Sequence, residues 1–128
     1  MGVFKIELSS GHADWPRFKV TLMCEMQDDT GRRTGMASSA EKSKGVCCVE
    51  TGDCTRVRTF VYAIPESLPA ERRVERMPDF PAKLHVECDG NTVSEELLAI
   101  NHWGGTSIER LFSRDGILEP REWRTVKP

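Results

Sequence analysis

Apolar and polar residues alternate along two segments near the start of the chain, and this alternation predicts two β-strands. In VFKIEL (3–8) the apolar side carries Phe4, Ile6 and Leu8, and in RFKVTLMCEM (17–26) every second residue from the phenylalanine onward is apolar. A period of two is the spacing of side chains on one face of a strand. Because each segment has one polar and one apolar side, we expect antiparallel pairing.

The segment GVCCVETGDCTRVRTFVYAI (45–64) predicts a β-hairpin, because a run rich in β-branched and aromatic residues is interrupted only by the turn-forming residues ETGD. Two registers are open. A three-residue loop ending at Gly52 places Cys48 opposite Cys54, whereas a two-residue loop places Val49 opposite Cys54.

Two polar stretches are predicted to lie outside the strands. QDDTGRRTGMASSAEKSKG (27–45) has almost no large apolar residue, so burial cannot offset the entropy of ordering it, and we expect a mobile loop. PESLPAERRVERMPDFP (65–81) contains four prolines around a short charged run and predicts a connector with about two helical turns.

The last third of the chain carries one clear strand and one ambiguous region. AKLHVECDGN (82–91) alternates again, with Leu84, Val86 and Cys88 inward. Residues 92–105 fit either a helix or a strand, and we favour a helix over 95–103.

The next segment, TSIERLFSRDG (106–116), has two interpretations that the pattern leaves open for 107–113. One is a helix that begins with a Thr106 to Glu109 capping box. The other is a hairpin at Asp115-Gly116.

These elements predict a mainly β protein, a small antiparallel β-sandwich of six to eight strands with one or two short helices in its second half. An α+β arrangement is the alternative. At 128 residues, with 38% hydrophobic and 30% charged residues, the chain matches one domain over 1–128 with one core.

Net charge and cysteine content limit the classes of partner and the cellular compartment that we expect. The formal net charge of −2 gives no overall attraction to nucleic acid or to an anionic membrane. No apolar run is long enough to span a bilayer, and the first residues lack the pattern of a signal peptide. Five cysteines with no export signal are typical of reduced thiols, so we expect a cytoplasmic protein without a membrane segment.

Three of the five cysteines lie within VCCVETGDC (46–54), but their spacing does not fit a zinc knuckle. Cys47 and Cys48 are adjacent on a predicted strand and therefore point to opposite faces. A disulfide between Cys48 and Cys54 is strained in most registers. We therefore expect free thiols, no bound metal and no cofactor.

The strand TRVRTFVYA (55–63) is the main candidate for function. Arg56, Arg58, Phe60 and Tyr62 share one parity, and cations beside aromatic rings suit the stacking of nucleic-acid bases. The same pattern fits a strand whose aromatics are buried while its arginines cover an edge. The other parity is smaller and equally suits a core face.

We predict a non-enzymatic binding module, an accessory or regulatory protein that contacts a protein partner through loops and an exposed sheet face. The candidate surface joins the 27–45 loop, strand 55–63 and the loop NHWGG, since tryptophan in an exposed loop is a common binding hot spot. Its candidate binding residues are Arg56, Arg58, Tyr62, His102 and Trp103.

Two other functions are open. The first is a small enzyme that uses a cysteine or histidine among Cys54, Cys88, His85 and His102, although no nucleophile-elbow motif is present. The second is binding of single-stranded nucleic acid through the arginine and aromatic side of strand 55–63. The pattern predicts no oligomeric state.

Overall fold

A computed structural model describes residues 2–39, 45–67 and 78–117. In this part of the chain nine β-strands and one short 3₁₀ helix, Trp15–Arg17, form the fold. The strands are β1 Gly2–Ser9, β2 Phe18–Gln27, β3 Arg33–Ser39, β4 Val46–Cys54, β5 Arg56–Pro65, β6 Phe80–Cys88, β7 Asn91–Ile100, β8 Thr106–Ser113 and β9 Gly116–Ile117.

The described strands form two antiparallel sheets packed face to face. The four-stranded sheet has the order β4-β1-β6-β7, and the five-stranded sheet has the order β3-β2-β5-β8-β9. The prediction of a mainly β antiparallel sandwich is confirmed. The described residues hold nine strands where six to eight were predicted, and β9 has only two residues.

The core lies between the two sheets and uses the predicted sides of the strands. Phe4, Ile6 and Leu8 of β1 are fully buried, and from β2 the buried residues are Phe18, Val20, Leu22 and Cys24. Leu84, Val86 and Cys88 of β6 are also buried, as the alternation predicted. At the edge between the sheets, the Arg110 guanidinium of β8 lies 3.0 Å from Glu96 of β7.

The predicted hairpin over 45–64 is wrong, because β4 and β5 belong to different sheets. β4 pairs with β1, while β5 pairs with β2 and β8, and the chain crosses between the sheets at Thr55. The residues expected to form the turn lie in a β-bulge, since Val3 pairs with Asp53 but Lys5 pairs with Glu50.

The Thr51 side chain explains how a turn-forming sequence fits inside a strand. Its Oγ1 accepts a hydrogen bond of 3.0 Å from the backbone N–H of Phe4. The bulge therefore keeps a buried backbone donor satisfied where the ladder is interrupted.

The predicted mobile loop over 27–45 is wrong for 33–39, which form the edge strand β3 against β2. Before β3, the chain turns at Asp28, whose Oδ1 accepts from the backbone N–H groups of Thr30 and Arg32. Residues 40–44 lie outside the described residues.

The predicted helix over 95–103 is also wrong. Residues 91–100 form β7, which pairs with β6. Asn101 then ends the strand, because its Oδ1 accepts from the N–H groups of Trp103 and Gly104.

The region left open, 107–113, lies in strand β8. β8 continues into β9 through a turn at Arg114 and Asp115, so a hairpin forms here with its turn one residue before the predicted Asp115-Gly116. The predicted helical turns within 65–81 fall mostly on 68–77, outside the described residues. Among the residues that the structure describes, no helix is long and apolar enough to cross a membrane.

Candidate functional site

The alternation along β5 directs Arg58, Phe60 and Tyr62 away from the core, to the outer face of the five-stranded sheet. The residues between them are the buried ones, Val57, Thr59, Val61 and Ala63. The smaller parity of the strand is therefore the core face. Phe60 and Tyr62 are half-buried rather than enclosed.

The two aromatic rings on this face are held in a fixed arrangement. Phe60 and Tyr62 are parallel, with an interplanar angle of 2° and centroids 6.4 Å apart. The guanidinium carbon of Arg58 lies 5.3 Å from the centroid of Phe60. Arg58 is fixed in turn by Glu109 on β8, because its Nε and Nη2 both lie 2.7 Å from Glu109 Oε2.

Neighbouring strands extend the apolar surface around these rings. Met23 of β2 pairs directly with Phe60, and Met36 of β3 is 42% exposed one strand further out. Ile64, next but one after Tyr62, is 55% exposed. We call the set Met23, Met36, Arg58, Phe60, Tyr62 and Ile64 the aromatic face.

The two ends of this sheet surface differ. Leu111 pairs with Arg58 and shares its outward parity, but it is only 1% exposed, so the surface is covered there. Arg56 is also engaged, since its Nη2 donates to Gln27 Oε1 over 3.2 Å. The open part of the aromatic face therefore runs from Phe60 to Ile64.

The outer face of the four-stranded sheet has a different chemistry. Ion pairs join Lys5 to Glu7 and Lys83 to Glu95, and His85 Nδ1 lies 2.8 Å from Glu95 Oε2. Its large exposed apolar residues are Val3, at 41%, and Leu97, at 69%. A surface of mixed charges with scattered apolar residues is ordinary for a sheet face exposed to solvent.

The loop after β7 adjoins the aromatic face at its Ile64 end. A Cβ added to Gly105 would lie 4.0 Å from Ile64 Cγ1. Trp103 in this loop is half-buried. The turn at Asp28 lies at the other end of β5, beside Arg56. The two loops of the predicted surface are therefore at opposite ends of β5, and only the strand connects them.

His102, in contrast, is an interior residue with 3% of its surface exposed. Its Nδ1 lies 3.0 Å from Oδ2 of Asp14, a carboxylate that is itself buried. The ring of His12 packs beside it, with centroids 5.3 Å apart, and Phe80 lies 5.0 Å from His102. Arg17 Nη2 donates to the His102 carbonyl.

His12 and Asp14 lie two residues apart in the chain, but the sequence analysis did not connect them with His102. The cluster forms because the turn after β1 and the loop after β7 meet at one end of the sandwich. No local spacing records this proximity, since about ninety residues separate the two segments.

The four residues considered for an enzyme do not converge on one cleft. His85 lies on the outer face of the four-stranded sheet, whereas Cys54 and Cys88 are buried on its inner side. His102 follows β7 at the Phe80 end of β6, and Cys88 ends that strand. Eight residues of strand span roughly 26 Å.

All five cysteines lie in the described residues, and none of them forms a disulfide. Burial raises the pKa of Cys24 to about 12, partly opposed by its contact with Thr59. Burial also raises the pKa of Cys54, and it raises that of the exposed Cys48 together with the nearby Glu7 carboxylate. None of these environments favours a reactive thiolate near neutral pH.

No protein-family model and no curated protein sequence matches this chain. Two solved structures have a similar arrangement. A DUF4425 family protein from Bacteroides ovatus is 15% identical, covers 88% of this chain and 93% of its own, and gives a TM-score of 0.45. A DUF4425 domain of unknown function from Bacteroides vulgatus is 16% identical, covers 84% and 94%, and gives a TM-score of 0.47.

Proposed function

We propose that this chain is a non-enzymatic binding module that docks a protein partner on the aromatic face. The observation that carries the proposal is the contrast between the two outer sheet faces. The four-stranded sheet carries several ion pairs with Val3 and Leu97 as its exposed apolar residues, while the five-stranded sheet presents parallel Phe60 and Tyr62 rings beside Met23, Met36 and Ile64. Exposed apolar residues grouped on one sheet face mark interaction sites on soluble proteins.

The residue types and their rigidity support this role. Tyrosine and arginine are enriched among residues that contribute most to protein binding, and methionine adapts to irregular partner surfaces. Phe60 already stacks beside Tyr62 and beneath the Arg58 guanidinium, and Arg58 is held by Glu109. A partner therefore meets a preordered surface and loses little side-chain entropy on binding.

The charges on the aromatic face favour protein over single-stranded nucleic acid. Nucleic-acid affinity comes largely from cations that neutralise phosphates. Arg58 is already paired with Glu109, Arg56 is bonded to Gln27, and Glu25 lies between Arg58 and Met36 in the strand register. Stacking of bases on Phe60 and Tyr62 is therefore the main contribution that this face offers to nucleic-acid binding.

The proposal includes an accessory or regulatory role in the cytoplasm. Its support is the five free cysteines, four of them buried, which suit a reducing compartment. A binding module of this kind acts by occupying a partner and needs no cofactor.

Co-purification from source cells tests the proposal with three versions of the full chain. They are the wild type, a Phe60→Ser/Tyr62→Ser variant, and a Leu97→Ser control that alters the other outer face. We expect the wild type and the control to recover the same proteins and the double variant to lose them. Equal recovery by the double variant would refute the proposal, and loss after nuclease treatment would favour nucleic acid.

A further inference from the structure

We propose that His12, Asp14 and His102 form a binding site for a divalent first-row transition metal such as Zn²⁺. The site is separate from the aromatic face and does not depend on the proposed docking function. One potential ligand atom from each residue lies within 4.8 Å of the other two. Two ligand atoms bonded to one metal ion at about 2.0–2.2 Å lie at most about 4.4 Å apart. Small side-chain movements would therefore bring all three atoms within bonding distance of one ion.

The His102 ring supplies a second, independent observation. Its Nδ1 is buried and makes no hydrogen bond within the described residues. Asp14 Oδ2 is close, at 3.0 Å, but not in hydrogen-bonding geometry. An unsatisfied buried nitrogen costs free energy, and coordination of a cation beside the carboxylate would remove that cost.

The surroundings hold the potential ligands in position. The rings of His12 and His102 both pack on Phe80, with centroid distances of 4.4 and 5.0 Å. Asp14 Oδ1 lies 3.8 Å from Arg17 Nε, which leaves Oδ2 on the side of His102. An apolar wall and a carboxylate with a second partner are typical of the outer shell of metal sites.

The donor types select the class of metal. Two imidazoles and one carboxylate suit zinc and its neighbours, with a fourth position left for water. Calcium and magnesium prefer several oxygen ligands. Asp14 is the single carboxylate of this cluster, so the cluster offers too few oxygen ligands for calcium or magnesium.

Metal binding has a specific consequence for His12. The backbone N–H of Asp14 donates to His12 Nδ1 over 3.0 Å. A neutral imidazole that accepts at Nδ1 carries its proton on Nε2, so neither nitrogen is free to bind a metal while this bond persists. The ring of His12 must rotate or change tautomer on binding, and NMR detects either event.

Calorimetric titration of the full chain with zinc chloride, in a non-chelating reductant, tests the proposal. The variants are His12→Ala, the matched control His85→Ala on the outer face of the four-stranded sheet, and Cys48→Ser, which removes the exposed thiol. We expect one zinc per wild-type chain, unchanged binding in both controls, and binding weaker by at least roughly tenfold in His12→Ala.

NMR of the histidine side chains of the wild type decides the question even if His12→Ala does not fold. We expect zinc to shift the His12 and His102 signals and to leave His85 unchanged. The proposal is overturned by failure of the wild type to bind, by loss of binding in either control, by full binding in a folded His12→Ala variant, or by unshifted His12 and His102 signals.

Discussion

The fully buried thiol of Cys24 predicts that the fold loses stability in alkali. In the native protein its pKa is raised from 9.0 to about 12, chiefly by burial between the sheets. A raised pKa means that folding favours the neutral thiol. The stabilisation is therefore complete below the pKa of the unfolded chain and is lost as the pH rises from 9.0 toward about 12.

The magnitude follows from the difference between these pKa values. One pKa unit corresponds to about 1.36 kcal/mol, so the full effect is roughly 4 kcal/mol. Between about pH 8 and about pH 11 the linkage relation gives a loss of roughly 2.7 kcal/mol from this one thiol. That is a large part of the total stability of an ordinary domain, which is about 5–15 kcal/mol.

Urea unfolding followed by circular dichroism measures this loss, with reductant present throughout. Other groups also titrate in alkali, so the informative quantity is the difference between the wild type and a Cys24→Ala variant. The variant is less stable near neutral pH because it leaves a small cavity, but it should lose roughly 2.7 kcal/mol less over the same pH range. Parallel pH profiles would refute the reasoning.

Three further predictions concern packing, pairing and thiol access. Gly2→Ala should lower the unfolding free energy by about 1–3 kcal/mol, because the added Cβ would lie 2.4 Å from Cys88 Sγ; urea unfolding should show partial recovery in a Gly2→Ala/Cys88→Ala double variant, and no recovery would place the strain elsewhere. A double-mutant cycle with Arg110→Met and Glu96→Gln should give a coupling of about 0.5–1 kcal/mol, since both side chains of this inter-sheet pair are partly exposed; zero coupling would contradict a contribution to stability. Iodoacetamide should label the exposed Cys48 before any other cysteine of the native protein, and peptide mass spectrometry that finds a buried thiol labelled first would contradict the fold.

Strand faces were predictable wherever hydrophobic alternation was strong. Phe4, Ile6 and Leu8 could be assigned to the core because one charged residue separates each of them from the next. Strand β3, Arg33–Ser39, escaped prediction because Met36 is its only large apolar residue and no apolar alternation marks it as a strand. An edge strand needs little apolar surface, so the composition of β3 resembles that of a loop.

Two other errors have different causes. The helix predicted over 95–103 came from a short apolar run that fits the spacing of either a helix or a strand. Pairing with β6 makes this segment a strand. The hairpin predicted at ETGD came from turn propensity, which also suits a β-bulge. Only the non-local pairing of β4 with β1 distinguishes the two.

The candidate surface was predictable along one strand but not across strands. The parity of β5 placed Arg58, Phe60 and Tyr62 together, as the structure has them. Met23 and Met36 join them only through the register of β2 with β5 and β3, which no local pattern contains. His102 was expected in a loop surface, but its contact with Asp14 depends on how two distant loops meet.

Site-specific photo-crosslinking in source cells tests most directly whether the aromatic face is the docking surface. A photoreactive amino acid replaces Ile64, which is 55% exposed on that face, or Leu97, which is 69% exposed on the opposite one. Docking on the aromatic face predicts a discrete adduct of higher mass, identifiable as one protein, from position 64 and not from position 97. Adducts from position 97 alone, or none from position 64, would contradict it.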